Sequence, residues 1–218
     1  MIAICPNPFR DSELKYTRQA AEMLHAAGYE TAVCPVFAED APQMIPEDIK
    51  ATTLDAVRSR CSLVVVIGGD GTILSAARQL HNADIPILGV NLGSKGFMAA
   101  LEPEHMQLIV KAAAGEYTVS RRMMLDIELE RGGEIIYRDK ALNDVVLHGY
   151  GDCIRLTAWC AGDRITSFSG DGIILSTPTG STGYSMSAGG PIVEPSARNL
   201  LITPICAHAM LTKTIVVS

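Results

Sequence analysis

The sequence predicts an α/β domain over about residues 1–118 followed by an all-β domain over about 119–218. Three observations carry that division. In the first half, short apolar runs alternate with helix-like stretches, and the Val/Ile/Leu runs are continuous, which suits strands buried on both faces of a parallel sheet. Two of those runs lead into glycine-bearing loops, GGDGT and NLGSKGF. From Met123 the pattern changes to period two, the signature of half-buried antiparallel strands.

Taken in order, Met1–Cys5 reads as a first strand, and a helix opened by Asp11 or Ser12 is stopped by Gly28. Thr31–Pro35 returns as a strand. Leu63–Ile67 is a third, GGDGT follows it, and a helix runs from Ile73 to Leu80 before the strand Ile85–Val90. Glu102-Pro103-Glu104 opens a helix with proline early and acid in its first turn, and Gly115 closes it. In the second half Leu125, Ile127 and Leu129 alternate, Gly132-Gly133 turns the chain, and a partner strand starts at Glu134. Ile154, Leu156, Ala158 and Cys160 alternate likewise before a turn at Gly162-Asp163, and Thr214–Val217 is a last strand.

The charge balance narrows the partners. A net charge of -6 and a pI near 5.3 lack the clustered Lys and Arg that grip a phosphate polymer, so no nucleic acid is expected, and no apolar run is long enough for a membrane. Six cysteines without a Cys-x-x-Cys pair, and no basic leader, point to free thiols in a cytoplasmic protein. His208 has no metal-spaced companion, so no resident metal site is expected.

The chemistry sits in four segments. Gly68, Gly69, Gly71 and Thr72 form a loop beyond the carboxyl end of a buried strand, where open α/β sheets bind ligands and backbone amides can face phosphate. Asp70 inside it would repel that phosphate unless it binds a metal or accepts a proton from a hydroxyl; a plain Asx turn is the competing reading. The loop ending in Phe97 follows the neighbouring strand and could form the opposite wall of the crevice. Asn143 and Asp144 place an amide and a carboxylate inside an apolar strand, where at least one would lack a partner until a polyhydroxyl ligand supplied it; an Asn-Asp turn ending a strand is the competing reading. Finally, Gly170–Ser185 and Ser187–Pro191 crowd hydroxyls and glycines between the apolar brackets Ile173–Leu175 and Ile192-Val193, which reads as an ordered ligand loop rather than a linker.

GGDGT, NLGSKGF, LNDV, GDGIILSTPTGSTGYSMSAGGPIVEP and TPICAHAML, in this order, resemble the NAD kinase family. The resemblance implies a Rossmann-like N-terminal domain, a β-sandwich-like C-terminal domain, and a homodimer or homotetramer. It implies transfer of a phosphate from ATP, with Mg²⁺, or from polyphosphate, to the adenosine-ribose 2'-hydroxyl of NAD. Asp70 would be the proton acceptor, and Asp70, Gly71, Phe97, Asn143, Asp144, Asp171, Thr182, Gly183, Tyr184 and Ser187 would hold the dinucleotide, Tyr184 near its adenine. Three departures stand out: Asp144 replaces the Glu of many members, Gly183 replaces Ala, and Ser75 stands where several members have a basic residue. The chain stops at Ser218, whereas most members continue for several strands, so the family's C-terminal tail is expected to be missing, by nature or by truncation. The rival expectations are another GGDG-type kinase, acting on a lipid or a sugar phosphate, and a noncatalytic NAD-binding protein.

Overall fold

The computed structural model describes residues 1–37, 44–80, 83–93, 96–208 and 213–218, in two compact units, Met1–Val119 and Ser120–Ser218. Ser94-Lys95 of the second glycine loop and Ala209–Leu211 of TPICAHAML lie outside the described residues.

The first unit is an α/β sandwich around a parallel sheet. Strands β1 (Ile2–Pro6), β2 (Thr31–Val33), β3 (Leu63–Gly68) and β4 (Ile87–Asn91) pair in the order β2-β1-β3-β4, all parallel. The continuous apolar runs exist because both faces are covered. Ile2, Ile4, Val65 and Ile67 pack against helices α1 (Lys15–Ala26) and α4 (Leu108–Ala113) on one side. Ala3, Cys5, Val64 and Val66 pack against α2 (Leu54–Val57) and α3 (Asp70–Gln79) on the other. Every residue of β1 and β3 is buried, and each large aliphatic side chain there contributes about 1.5–3 kcal/mol of hydrophobic stabilisation. Burial also pushes the Cys34 thiol up to about 12, because the thiolate has no water around it.

Three helices begin elsewhere than the sequence predicts, while the strands shift by one or two residues at their ends. The first helix proper begins at Lys15, not at Asp11 or Ser12. Asp11 is fully buried, and its carboxylate accepts hydrogen bonds from the Tyr16 and Thr17 amides and the Thr17 hydroxyl, while Glu13 and Leu14 take left-handed backbone conformations. The helix expected from Ile73 starts at Asp70, so Asp70, Gly71 and Thr72 of GGDGT form a helical first turn. The helix expected from Glu102 to Gly115 is instead a 3-10 turn, Pro103–His105, followed by the short α4.

Among its described residues the second unit is all-β apart from a 3-10 turn, Thr179–Thr182, and one short α-helix. Strands β5 (Leu125–Arg131) and β6 (Glu134–Ala141) form a hairpin whose Gly132 and Gly133 both have positive φ, as a type I′ turn requires. A second hairpin joins β8 (Ile154–Cys160) to β9 (Asp163–Gly170). Its turn residues are Ala161 and Gly162, one position before the predicted Gly162-Asp163, and Asp163 already belongs to the strand. Strands β7 (Asp144–His148), β10 (Gly172–Ser176), β11 (Leu200–Ile205) and β12 (Ile215–Val217) make an antiparallel sheet in the order β12-β11-β10-β7. Phe168, Ile173 and Ile202 form its small core with Leu156 and Ala158 of the hairpin. Among the described residues no helix is long and apolar enough to cross a membrane.

Candidate functional site

Within the first unit the strand order creates a switch point: the chain leaves β1 outward toward β2 and leaves β3 in the other direction toward β4, and open α/β sheets bind ligands beyond the carboxyl ends of such strands. GGDGT stands there. Gly69 is the N-cap of α3, and its carbonyl accepts the Thr72 and Ile73 amides, which leaves the Asp70 and Gly71 amides ahead of them without an intrahelical partner. Thr72 is buried, and its Oγ1 accepts a hydrogen bond from Asn7 Nδ2 at 3.0 Å, which ties the segment after β1 to this turn. Gly68 leaves room for that hydroxyl, since a Cβ there would collide with it.

Asp70 joins the two glycine loops. Its Oδ2 accepts the Phe97 amide at 2.8 Å and its Oδ1 the Met98 amide at 3.2 Å. A Cβ at Gly96 would strike the carboxylate, so the glycine is what permits this approach. A carboxylate offers about four acceptor positions, and two amides leave the remainder free for a hydroxyl or a cation. Phe97 itself is 66% exposed. Behind the pair, Asn91 donates to Glu102 at 3.3 and 3.4 Å, while its buried Oδ1 has no partner.

In the second unit Asn143 precedes β7 rather than lying within it, and Asp144 is the first residue of that strand. The Asn143 carbonyl accepts the Thr177 amide at 2.8 Å, and Gly180 packs so closely on its backbone that no side chain fits there. The amide oxygen, Asn143 Oδ1, is buried with no hydrogen-bond partner. Asp144 beside it is half-buried, and burial raises its carboxyl above the ordinary range because the charged form loses water. Gly183 completes the cluster: a Cβ placed on it would stand 3.4 Å from Asn143 Nδ2 and 3.8 Å from Asp144 Oδ2.

The hydroxyl-rich segment divides into two sets. Thr177 donates to Leu142 O at 2.6 Å and accepts the Gly180 amide, Ser181 donates to Pro178 O at 2.7 Å and accepts the Val193 amide, and Ser185 pairs with Thr203 at 2.8 Å. These buried groups hold the loop together and are unavailable to a ligand. Thr182 and Gly183 are partly exposed, and Tyr184 and Ser187 lie open on the short helix α5 (Tyr184–Ser187). Asp171 stands apart, in the turn from β9 to β10, at the opposite end of β10 from the residue facing Asp144. Five residues of strand separate the two positions, about 16 Å.

Two residues escaped the sequence reading. Cys206 has a left-handed backbone (φ 47°), and interaction with the Asp171 side chain raises its thiol because it favours the protonated form. Arg10 lies against Gly69 and Gly93, and its Nη1 donates to Leu92 O at 3.4 Å. The TPIC segment marks the first in the sequence, but no motif marks the second.

Residues 2–117 match the ATP-NAD kinase N-terminal domain, and residues 121–218 match the ATP-NAD kinase C-terminal domain. The chain belongs to the NAD kinase family. The NAD kinase of Trichlorobacter lovleyi is 44% identical over 172 residues, 78% of this chain and 60% of that one. That of Lachnospira eligens is 38% identical over 98% of this chain and 72% of its own length, and that of Ruminiclostridium cellulolyticum 37% over 100% and 75%. Among solved structures, yeast NADH kinase complexed with NADH superposes with a TM-score of 0.84 at 27% identity, covering 99% of this chain and 68% of that one. An NAD kinase from Archaeoglobus fulgidus in complex with ATP gives 0.75 at 26%, covering 100% and 77%. The chain thus spans three-fifths to three-quarters of the length of these NAD kinase relatives.

Proposed function

We propose that this chain carries the catalytic machinery of an NAD kinase and transfers the terminal phosphate of ATP, or of polyphosphate, to the 2'-hydroxyl of the adenosine ribose of NAD, giving NADP. The observation that carries the reading is the unsatisfied Asn143 Oδ1 beside the half-buried Asp144, a pair whose cost in the free protein a ribose would offset by hydrogen bonding. The separation of Asp144 and Asp171 along β10 asks for an elongated ligand, as a dinucleotide is. Thr182, Gly183, Tyr184 and Ser187 supply the outward-facing part of the same surface, with Tyr184 offering a flat face to adenine.

In this reading the amides of Gly69, Asp70 and Gly71 at the start of α3 hold donor phosphate, aided by the helix dipole. Asp70 accepts the proton of the attacking 2'-hydroxyl, its orientation fixed by the Phe97 and Met98 amides. Mg²⁺ fits as a companion of the donor, because such an ion is held largely by the phosphate oxygens and by water and asks for few protein ligands. When bound, it neutralises the triphosphate. The setting is the cytoplasm, and the assembly a homodimer or homotetramer. Incubation with NAD and magnesium ATP, read by an NADP-specific dehydrogenase, tests the reaction. NADP and ADP in equal amounts are expected; NAD binding without NADP would favour the noncatalytic alternative.

A further inference from the structure

We propose that Arg10 grips the phosphate chain of the donor: its guanidinium, lying over Gly69 and Gly93, binds oxygens of a triphosphate or polyphosphate seated on the first turn of α3. This rests on the phosphotransferase reading and adds to it a residue that none of the shared motifs contains. The switch point between β1 and β3 is bounded by the chain leaving each strand. GGDGT leaves β3, and Asn7-Pro8-Phe9-Arg10 leaves β1. The Asn7–Thr72 hydrogen bond joins the two segments.

The side chain is placed by glycines. A Cβ at Gly93 would collide with Arg10 Nη1 and lie 3.1 Å from Cζ, and one at Gly69 would lie 3.6 Å from Nη1. Gly93 therefore leaves the space that the guanidinium occupies, a shelf that Gly69 borders at ordinary contact distance. The shelf leaves the guanidinium underused: among the described residues its one hydrogen bond is the long contact to Leu92 O at 3.4 Å, and it makes no ion pair. A guanidinium carries five N–H donors in a planar fork matched to phosphate oxygens.

Charge supplies the need. From Gly68 to Ala77 the phosphate turn and the first turns of α3 contain a carboxylate, Asp70, and no Lys or Arg; Arg78 stands in the last turn of the helix, away from its amino end. A polyanion settling there meets one negative side chain, and among the described residues Arg10 is a cation beside it. The backbone that presents Arg10 is already ordered. The Arg10 amide donates to Asn7 O at 3.0 Å, the Asp11 amide to the same oxygen at 2.8 Å, and the Phe9 amide to Asn7 Oδ1 at 3.1 Å. The buried Asp11 carboxylate then locks the chain to α1. Little backbone entropy remains to be lost on binding.

Calorimetric titration of sodium tripolyphosphate and of magnesium ATP, without NAD, into wild type, Arg10→Ala and Arg10→Lys tests the proposal, with initial rates beside it. Arg10→Ala is expected to weaken both polyanions about 10- to 100-fold and to raise KM for ATP similarly, with KM for NAD within about twofold. Arg10→Lys should recover part of the loss, keeping the charge but not the fork. Unchanged tripolyphosphate affinity in a folded Arg10→Ala overturns the proposal, as does a wild type that binds no tripolyphosphate. An effect confined to KM for NAD also overturns it, moving the guanidinium to the dinucleotide. Because the tripolyphosphate arm needs no turnover, a wild type that binds it through Arg10 yet makes no NADP would sink the kinase reading alone.

Discussion

Replacing Asn143 by Ala separates ligand binding from folding, because the structure gives its side chain and its backbone different tasks. The backbone carbonyl accepts the Thr177 amide at 2.8 Å and the Ser176 hydroxyl at 3.4 Å, and both bonds survive in Ala. The side-chain oxygen is buried and unpartnered, a state that costs about 1–3 kcal/mol in the free protein. Deleting it relieves that cost and forfeits some packing, so the two nearly cancel, and the melting temperature without NAD should move by no more than about 4 °C. Binding has no such cancellation. Loss of a hydrogen bond to a buried ribose hydroxyl should weaken NAD by about 1–3 kcal/mol, roughly 5- to 150-fold. At an NAD concentration of about 100 times the wild-type Kd, wild type gains about 2.7 kcal/mol of stability, and a variant tenfold weaker gains about 1.4. Thermal melts of both proteins, with and without NAD at that concentration, read the difference. A variant that melts far below wild type without NAD, yet shows the full wild-type shift with it, would refute the ribose role and leave Asn143 as a structural turn residue.

Three further outcomes follow from the same geometry. Asp70→Asn should lower kcat by about 10² to 10⁴ with NAD affinity within severalfold, since an amide cannot take the proton; undiminished turnover in the NADP assay would remove Asp70 as the base. Tyr184→Ala should weaken NAD by about 1–2 kcal/mol by calorimetry, because the ring is exposed and contributes to the ligand rather than the core; equal affinity would exclude Tyr184 from the surface. Asp144 has its carboxyl raised by burial, so the folded protein binds more protons than the unfolded chain between the ordinary value of 3.8 and the raised one, and this group's contribution to stability falls as pH rises through that window. Asp144→Asn should therefore melt above wild type at neutral pH by an amount that shrinks on acidification below the window, modestly, because the group is half-exposed. A difference independent of pH would refute the assignment to ionisation.

The fold was legible where periodicity and burial agree. β3 and β1 are continuous apolar runs because helices cover both faces, and the alternation of Ile154, Leu156 and Ala158 reports the single buried face of β8. Boundaries were less legible where a side chain overrides propensity. Asp11 looks like an N-cap at the head of a helix, but its carboxylate reaches the amides five and six residues on, and that span delays the helix to Lys15. The hydroxyl-rich loop shows the same limit at the site. Composition flags Thr177, Ser181, Ser185 and Thr182 alike, whereas only packing reveals that the first three are buried with their hydroxyls spent inside the protein, while Thr182 is partly exposed and makes only a long bond to Thr179 O at 3.4 Å.

Asp70 poses the question that the motif alone cannot answer, since both readings available from sequence are partly satisfied in the same atoms. The two amide hydrogen bonds from Phe97 and Met98 are what an acidic turn residue would make for structure, and they are also what a base needs to be held in one orientation. What distinguishes the readings is the substitution that keeps shape. In Asp70→Asn one oxygen becomes a donor, so one of the two amides loses its acceptor, and stability should fall by about 1–3 kcal/mol whichever role is real. A purely structural Asp70 would lose activity only in proportion to the folded fraction, and assay well below the melting transition would restore it. A base would show the kcat deficit undiminished at low temperature, with the protein fully folded. The temperature dependence of the deficit, rather than its existence, therefore assigns the carboxylate.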